Sequence, residues 1–238
     1  MSTSQTVWFI TGTSRGIGLE LTKQLLQSPS NVVLATCRNP SKADALQALT
    51  ASSGGRLHVL PLDVSDADSI TSAAQAAEKI VGDKGIDYLI NNAGINPGGY
   101  DSPFEFDVAR FTEAFQTNLV GPALVSKALL PLVEKSVRKT IVNVSSTVGS
   151  VSSVWAAQPL SYAIVKAGLN MLTAKQAKAR PDLTVISMCP GHLQTELGGA
   201  SAPTPASVGV GGVLKVLAGL TPKDTGRFIN SKGDTVQW

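Results

Sequence analysis

Residues 7–18 have the sequence VWFITGTSRGIG, in which an apolar run leads directly into a glycine-rich turn. The apolar run predicts a buried strand. Beyond the turn, Ile17, Leu21 and Leu25 recur at helical spacing, which predicts a helix there. A strand, a glycine turn and a helix in this order are typical of a nucleotide-binding βα unit. Three glycines also occur in ordinary turns, so it is the strand-to-helix context that favours a nucleotide.

Each glycine of this turn has a physical role in that interpretation. Gly12 permits a sharp backbone turn, Gly16 admits a phosphate close to the chain, and Gly18 lets the helix pack tightly on the strand. The N-terminus of the helix then offers unpaired N–H groups and a partial positive charge to a pyrophosphate. The turn therefore predicts a dinucleotide site.

The composition is that of a compact globular chain. Of the 238 residues, 43% are hydrophobic and 16% are charged, which excludes a disordered protein and suits one domain over residues 1–238. The formal charge of +3 comes without a basic run, so no nucleic-acid partner is expected. Two cysteines and two well-separated histidines predict neither a disulfide nor a metal site.

Signals for export or membrane insertion are missing from the sequence. Residues 1–5 lack the charged and apolar regions of a signal peptide, and no apolar run is long enough to span a bilayer. We therefore expect a cytoplasmic protein with no membrane partner.

Short β-branched runs alternate with longer helical stretches along the whole chain. Strands are predicted at 6–11, 31–37, 56–60, 86–91, 139–145, 183–189 and 226–229, and helices near 16–28, 40–51, 66–81, 106–134, 159–179 and 203–219. This alternation predicts an α/β fold, a single-domain Rossmann fold with a doubly wound, mostly parallel, seven-stranded sheet and helices on both faces.

One Gly- and Pro-rich stretch, 198–212, interrupts this pattern just beyond a predicted strand end. Ligands of open α/β sheets bind at such ends, so residues near 192–212 are predicted to form a lid over the substrate. A plain surface loop followed by a poorly capped helix is the alternative.

The residue after the second strand indicates which dinucleotide binds. An acidic residue about 20 positions beyond the glycines usually binds the 2′-hydroxyl of NADH. That position holds Arg38, whose guanidinium suits a 2′-phosphate, and Arg15 could reach the same group from the glycine turn. Each arginine alone is typical of a solvated surface, but together they favour NADPH.

Two further strand ends carry residues suited to a dinucleotide. Asp63 follows the third strand and could accept a hydrogen bond from the adenine amino group. It could instead cap the next helix, although Ser65 and Asp66 suit that task better. The small residues of NNAG at 91–94 leave room for the ribose and the nicotinamide.

Tyr162 and Lys166 are spaced to lie on one face of a helix. A free phenol has a pKa near 10, too high for acid–base catalysis at neutral pH. An ammonium about 4 Å away contributes on the order of 4 kcal/mol at an effective dielectric constant of about 20, which would lower the phenol pKa by roughly three units. The pair is predicted to act as a general acid–base, although such pairs are also common on surfaces.

Three more polar residues are candidates for the chemistry. Ser145 and Ser146 follow the fifth strand, where a serine can hydrogen-bond a substrate carbonyl or cap a turn; we favour the cap for Ser145. Asn118 lies in a predicted helix, and Pro122 has no N–H to offer the carbonyl of Asn118. That carbonyl could hold a water beside Lys166, or the Gly-Pro pair could serve packing alone.

Over nearly its whole length the chain resembles the short-chain dehydrogenase/reductases. The resemblance rests on TGTSRGIG at 11–18, Asp63, NNAG at 91–94, Asn118, Ser146, YAIVK at 162–166, Pro190-Gly191 and Thr195. It implies a catalytic tetrad in which Ser146 orients the carbonyl and Tyr162 transfers the proton. In the same tetrad Lys166 holds the ribose hydroxyls and lowers the phenol pKa, and Asn118 anchors a water.

The resemblance also implies the cofactor contacts, the branch of the family and an assembly. The cofactor residues are Gly12, Ser14, Arg15, Gly16, Ile17, Gly18, Arg38, Asp63, Val64, Asn92, Ala93, Gly94, Tyr162, Lys166, Pro190, Gly191, Leu193 and Thr195. Segments 37–40, 190–199 and 226–233 resemble NADP-preferring small carbonyl reductases of the C-factor and sniffer type. Because the family is usually dimeric or tetrameric through the helices near 106–134 and 159–179, a homo-oligomer is expected.

These features predict NADPH-dependent reduction of a ketone or aldehyde to an alcohol, or the reverse, with Tyr162 as general acid–base. The stretch between Ser146 and Tyr162 is a few residues longer than is common in the family, which reshapes the substrate wall. Position alone suggests four pocket residues for a small apolar substrate, namely Val148, Trp155, Gln158 and His192. The alternative is a catalytically silent dinucleotide sensor, although such proteins usually lose the tyrosine or the lysine.

Overall fold

A computed structural model describes residues 5–238, so most of the segment considered for a signal peptide, residues 1–4, lies outside it. The strands are β1 Thr6–Thr11, β2 Asn31–Cys37, β3 Leu57–Pro61, β4 Tyr88–Asn91, β5 Thr140–Val144, β6 Thr184–Cys189, β7 Leu193–Gln194, β8 Thr204–Pro205 and β9 Phe228–Asn230. Seven of them form one parallel sheet in the order β3-β2-β1-β4-β5-β6-β9, while β7 pairs with β8. The predicted seven-stranded sheet is confirmed.

Helices cover both faces of this sheet. They are α1 Gly16–Leu25, α2 Asp44–Ser52, α3 Ala67–Val81, α4 Val108–Phe115, α5 Gly121–Lys135, α6 Leu160–Ala179 and α7 Ala206–Gly219. One core joins the sheet to α1, α2 and α7, and a second joins it to α3 and α5. Among residues 5–238, no helix combines the length and the apolar character needed to cross a bilayer.

This two-sided cover explains the continuous apolar runs of the strands. Trp8 and Ile10 on β1 belong to one core, whereas Val7 and Phe9 belong to the other. Successive strand side chains point to opposite faces, so a strand between two helical layers needs an apolar residue at nearly every position. The Rossmann architecture predicted from the alternation follows from this pattern and is confirmed.

The prediction of one continuous helix over 106–134 is wrong, because the structure has two helices joined by a wider turn. Between α4 and α5 the chain makes a π-helical turn, Gln116–Val120, in which the Gly121 N–H donates to the carbonyl of Gln116. Pro122 has no N–H for the usual bond four residues back, and the wider turn absorbs the proline without ending the helical path. Asn118 therefore lies in the middle of a π-turn.

The segment predicted as a lid carries secondary structure of its own. Leu193 on β7 pairs with Thr204 on β8, and a Cβ added to Gly209 of α7 would lie only 2.3 Å from the Leu193 side chain. This part of residues 192–212 therefore packs closely against α7. Movement of the segment over a bound substrate stays a prediction.

Candidate active site

A cavity of ≈ 780 Å³ opens where β1, β2, β4, β5 and β6 end. Carboxyl ends of parallel strands meet at one edge of a sheet, so motifs far apart in the sequence converge there. The predicted cofactor residues that line this cavity are Gly12, Ser14, Arg15, Gly16, Ile17, Arg38, Asp63, Val64, Asn92, Ala93, Gly94, Tyr162, Lys166, Pro190, Gly191, Leu193 and Thr195. Ser146 lines it as well.

The glycine turn is held against the end of β4. Thr11 Oγ1 accepts hydrogen bonds from the backbone N–H groups of Asn92 and Ala93, both at 2.9 Å. In return, Asn92 Nδ2 donates to the carbonyls of Thr11 at 2.8 Å and Gly12 at 3.1 Å. Gly12 has φ +71°, and a Cβ there would lie 2.8 Å from Ala93 Cα, so only glycine fits. No sequence argument predicted this clamping role of Thr11 and Asn92.

Gly18 departs from its predicted role as a cofactor contact. In residues 5–238, Gly18 is not one of the residues that line the cavity, because it packs beneath the glycine turn. A Cβ at Gly18 would lie 2.2 Å from the Gly12 carbonyl oxygen and 2.7 Å from Asn92 Nδ2. Gly18 therefore acts on the site indirectly, through the close approach of α1 to β1.

We expect Gly18→Ala to lower the free energy of unfolding by about 1–3 kcal/mol, because the methyl group would push the glycine turn off β4. Urea titration measures the change. Gly219→Ala at the end of α7 is the matched control, because within the described residues nothing lies within 4 Å of its added Cβ. Equal destabilisation by both substitutions would contradict the clamp.

The part of the cavity next to the ends of β2 and β3 is charged, because Arg38 and Asp63 line it. Burial acts to raise the pKa of the Asp63 carboxyl, but hydrogen bonds from Ser65 and the nearby charge of Arg38 outweigh it and lower that pKa. Asp63 Oδ1 accepts from the Ser65 N–H at 2.9 Å and from Ser65 Oγ at 2.6 Å. Asp66 caps α3 by accepting from the Asp68 N–H at 3.0 Å, so Asp63 is not the helix cap.

Arg15 lies at the mouth of the cavity. Its guanidinium pairs with Glu196 at 3.1 Å, and both side chains are more than half exposed. The ion pair joins the glycine turn to the segment after β7. Exposed pairs of this kind are weak, so Arg15 can exchange Glu196 for another anion at little cost.

Tyr162 and Lys166 lie on the first turns of α6 and face the cavity. Lys166 is 3% exposed, and its Nζ lies 5.4 Å from the Tyr162 ring centroid. Nζ donates to the Val144 carbonyl at 2.7 Å. Among the described residues that is its one hydrogen bond, which leaves two of the three ammonium donors for a ligand.

The pKa of Tyr162 differs from the expectation. The spacing predicted a phenol made more acidic by Lys166, yet burial raises the pKa of Tyr162 above its ordinary value. Burial also lowers the pKa of Lys166 to about 8. Desolvation disfavours both charged forms, the phenolate and the ammonium, and it is the largest cause of each shift.

The buried lysine predicts a pH-dependent stability. Because its folded pKa of about 8 lies below the ordinary 10.5, the unfolded chain binds more protons between these values and stability rises with pH. We expect the unfolding free energy, relative to Lys166→Met, to rise by on the order of 2 kcal/mol from about pH 8 to about pH 10. Urea titrations at each pH measure it. A flat difference for Lys166→Met would contradict the burial effect.

The two serines after β5 both line the cavity but make different contacts. Ser146 lines the cavity, and its Oγ accepts from the Val148 N–H at 3.4 Å. Ser145 is buried, and its hydroxyl donates to the Lys166 carbonyl at 3.4 Å. Ser145 thus ties β5 to α6 and is not the cap that the sequence favoured, because Ser146 holds the N-cap position of the short turn Thr147–Gly149.

Asn118 is fully buried and does not belong to the cavity lining of the described residues. Its side chain accepts from the Ile95 N–H at 2.8 Å and donates to the Ile95 carbonyl at 2.7 Å. A Cβ placed on Gly94 would lie 3.3 Å from Asn118 Oδ1 and 3.9 Å from Lys166 Nζ. Asn118 therefore fixes the chain after β4 right beside the buried lysine.

Three of the four predicted pocket residues, Val148, Trp155 and His192, line the cavity. His192 Nε2 lies 2.7 Å from the Gly198 carbonyl, and Trp155 is 74% exposed at the rim. The prediction for Gln158 is wrong, because its side chain is exposed to solvent. The neighbouring Pro159 is buried and lines the cavity instead.

The substrate side has a second wall that sequence reasoning missed. It is formed by Ile95, Asn96, Tyr100, Thr112, Glu113, Gln116 and Thr117. These residues lie between β4 and α5 and belong to no chemical motif, so only the packing of this segment against α6 identifies them. In residues 5–238, no group of three His, Cys, Asp or Glu side chains is arranged to hold a metal ion.

Several known proteins are similar to the chain over nearly its whole length. The short-chain dehydrogenase srdF of Neurospora crassa is 33% identical, over 99% of each chain. The NADPH-bound carbonyl reductase from chicken fatty liver is 34% identical with a TM-score of 0.92, and the carbonyl reductase Sniffer of D. melanogaster is 29% identical with a TM-score of 0.93. Each structure matches 99% of this chain and 100% of its own.

The family model described as short chain dehydrogenase matches residues 6–205, which include the glycine turn, the cavity and the Tyr162–Lys166 pair. The match therefore covers most of the fold together with its site. The chain belongs to the short-chain dehydrogenase family.

Proposed function

We propose that this protein reduces a ketone or aldehyde to an alcohol with NADPH, or catalyses the reverse reaction. The observation that carries the proposal is the buried Lys166 ammonium beside the Tyr162 phenol, at the inner end of a cavity whose outer end holds Arg38. The chicken enzyme, a carbonyl reductase with NADPH bound, and Sniffer, also a carbonyl reductase, support this assignment.

The cavity suits NADPH along its length. At the N-terminus of α1 no side chain of the described residues caps the first N–H groups, and a Cβ on Gly16 would meet Thr195 only at 3.7 Å, so a pyrophosphate has both donors and space. Arg38 would hold the 2′-phosphate, Asp63 the adenine amino group, and the two unused donors of Lys166 the ribose hydroxyls. Bound NADPH supplies the hydride that reduces the carbonyl carbon.

The chain's own residues handle the carbonyl oxygen and the proton. Ser146 donates a hydrogen bond to that oxygen. Because burial keeps the pKa of Tyr162 high, the phenol is protonated at neutral pH and is set to donate to the developing alkoxide. The Lys166 ammonium then stabilises the phenolate. Since Pro122 cannot pair with the Asn118 carbonyl, that carbonyl holds the water through which the proton is replaced.

The lining favours an apolar small molecule as substrate. Val148, Trp155, Ile95 and Tyr100 supply apolar surface to the cavity lining. Such walls bind the body of a carbonyl compound while Ser146 and Tyr162 orient its oxygen.

Nicotinamide absorbance with a panel of diketones, quinones and aldehydes tests the proposal. We expect NADPH oxidation with at least one apolar carbonyl compound. Tight NADPH binding without turnover of any of them would instead favour the catalytically silent sensor. The presence of both Tyr162 and Lys166 in the cavity argues against the sensor.

We also propose a cytoplasmic homo-oligomer. The helices near 106–134 and 159–179 are expected to form the contact between copies. Phe115 on α4 and Ile164 on α6 are exposed and supply apolar surface for it. Light scattering in solution measures the assembly; a monomer at micromolar concentration would contradict it.

A further inference from the structure

The first turn of α6 is capped by a residue 60 positions earlier in the chain. The residue at its own N-cap position is Pro159, which has no side-chain acceptor, so the leading N–H groups of α6 need partners from elsewhere. The Leu160 N–H donates to the backbone carbonyl of Asp101 at 3.0 Å. The Ser161 N–H donates to the Asp101 carboxylate at 3.1 and 3.3 Å, and the Ser161 hydroxyl donates to the same carboxylate.

This cap lies next to the chemistry. Tyr162 directly follows Ser161, so the capped turn is the one that carries the phenol. The carboxylate also faces the positive end of the α6 dipole, which strengthens the attachment. Any rotation or fraying of this turn would move the phenol oxygen relative to Ser146, which stands on the separate strand end of β5.

The segment that carries Asp101 is itself held in place at its other end. Asn118 binds both backbone groups of Ile95, as described above, and the Asn96 side chain donates to the Gly99 carbonyl at 3.1 Å. The chain from Ile95 to Asp101 thus runs between two anchors. One anchor is the π-turn with Asn118, and the other is the N-terminus of α6.

We propose that Asp101 is a positioning residue for the proton-donating Tyr162, acting through Ser161 and not by contact with the substrate. This inference rests on the carbonyl reductase function proposed above. Asp101 ties the first turn of α6 to the segment Ile95–Asp101, and Asn118 holds the other end of that segment. Tyr162, Lys166 and Asn118 thus form one rigid unit.

Steady-state kinetics with NADPH and a turned-over carbonyl compound test the role. We expect Asp101→Ala to lower kcat by about 10- to 100-fold, because displacement of a reacting group by about 1 Å has effects of this size. The dissociation constant for NADPH, from nucleotide fluorescence, should stay within about 2-fold, since the glycine turn is remote from Asp101. Deuteride transfer from 4-deuterated NADPH should show a larger isotope effect in the variant than in the wild type.

Asp66→Ala is the matched control, because Asp66 caps α3 through the Asp68 N–H and does not line the cavity in the described structure. Both substitutions remove one aspartate cap, and both should lower the unfolding temperature. Only Asp101→Ala should lower kcat. An equal change of kcat in the two variants would overturn the positioning role.

Two milder variants keep the test decisive if Asp101→Ala does not fold. Asp101→Asn retains an oxygen acceptor for the Ser161 N–H and should recover most of the wild-type kcat, while Ser161→Ala should show an intermediate loss. Wild-type kcat in Ser161→Ala, or in folded Asp101→Ala, would refute the inference. Absence of turnover in the wild type with every carbonyl compound would refute the proposed function instead.

Discussion

Tyr162→Phe is expected to lower kcat for carbonyl reduction by about 10²- to 10⁴-fold, the range of a lost general acid. The phenyl ring keeps the packing beside Lys166, whose Nζ lies 5.4 Å from the ring centroid, so only the hydroxyl is removed. NADPH affinity should be nearly unchanged, because the glycine turn and Arg38 are untouched. Stopped-flow absorbance of the nicotinamide measures the hydride step, and equilibrium fluorescence measures binding.

Tyr88→Phe provides the control for that experiment. Tyr88 is buried, stacks on Trp8 with ring centroids 3.9 Å apart, and donates to the Leu217 carbonyl at 3.3 Å. It does not line the cavity in the described structure. We expect Tyr88→Phe to lower stability and leave kcat intact. Normal turnover in Tyr162→Phe would remove this phenol from the mechanism.

The raised pKa of Tyr162 gives the two directions of the reaction different pH dependences. A phenol that stays protonated at neutral pH is ready to donate, whereas alcohol oxidation needs the phenolate as base. We therefore expect the rate of alcohol oxidation to rise with pH over a range where the rate of carbonyl reduction does not.

The sequence predicts the sheet and the motif residues well, for one physical reason. A parallel sheet brings the ends of its strands to one edge, so once Thr11, Asn91, Val144 and Cys189 are recognised as strand ends, the residues after them must meet. Apolar runs of β-branched residues suffice to locate those ends.

What the sequence could not predict depends on packing between segments. The cavity wall from Ile95 to Thr117 has no chemical motif, and the π-turn at Asn118 follows from a proline whose effect could equally have been a kink. The direction of the Tyr162 pKa shift depends on burial, and spacing along a helix does not report burial. The cap on α6 by Asp101 joins positions 60 residues apart.

Arg38→Asp is expected to raise the KM for NADPH by about 10- to 100-fold and to change the KM for NADH far less. The substitution removes hydrogen bonds from the guanidinium to the charged 2′-phosphate, each worth about 1.5–3 kcal/mol. It also adds repulsion between the new carboxylate and the 2′-phosphate. A carboxylate there can also accept the 2′-hydroxyl of NADH. Initial rates at saturating carbonyl substrate, with each nucleotide varied, measure both constants.

Arg15→Ala separates the contribution of Arg15 to NADPH binding from that of Arg38. Its guanidinium is exposed and already pairs with Glu196 at 3.1 Å, so an exchange of Glu196 for a phosphate gains little. Arg38 lies close enough to Asp63 to lower the pKa of that carboxyl, so its charge lies where the adenosine would bind if Asp63 holds the adenine. The NADPH preference should therefore fall much more in Arg38→Asp than in Arg15→Ala. Equal effects of Arg38→Asp on NADPH and NADH would show that Arg38 does not bind the 2′-phosphate.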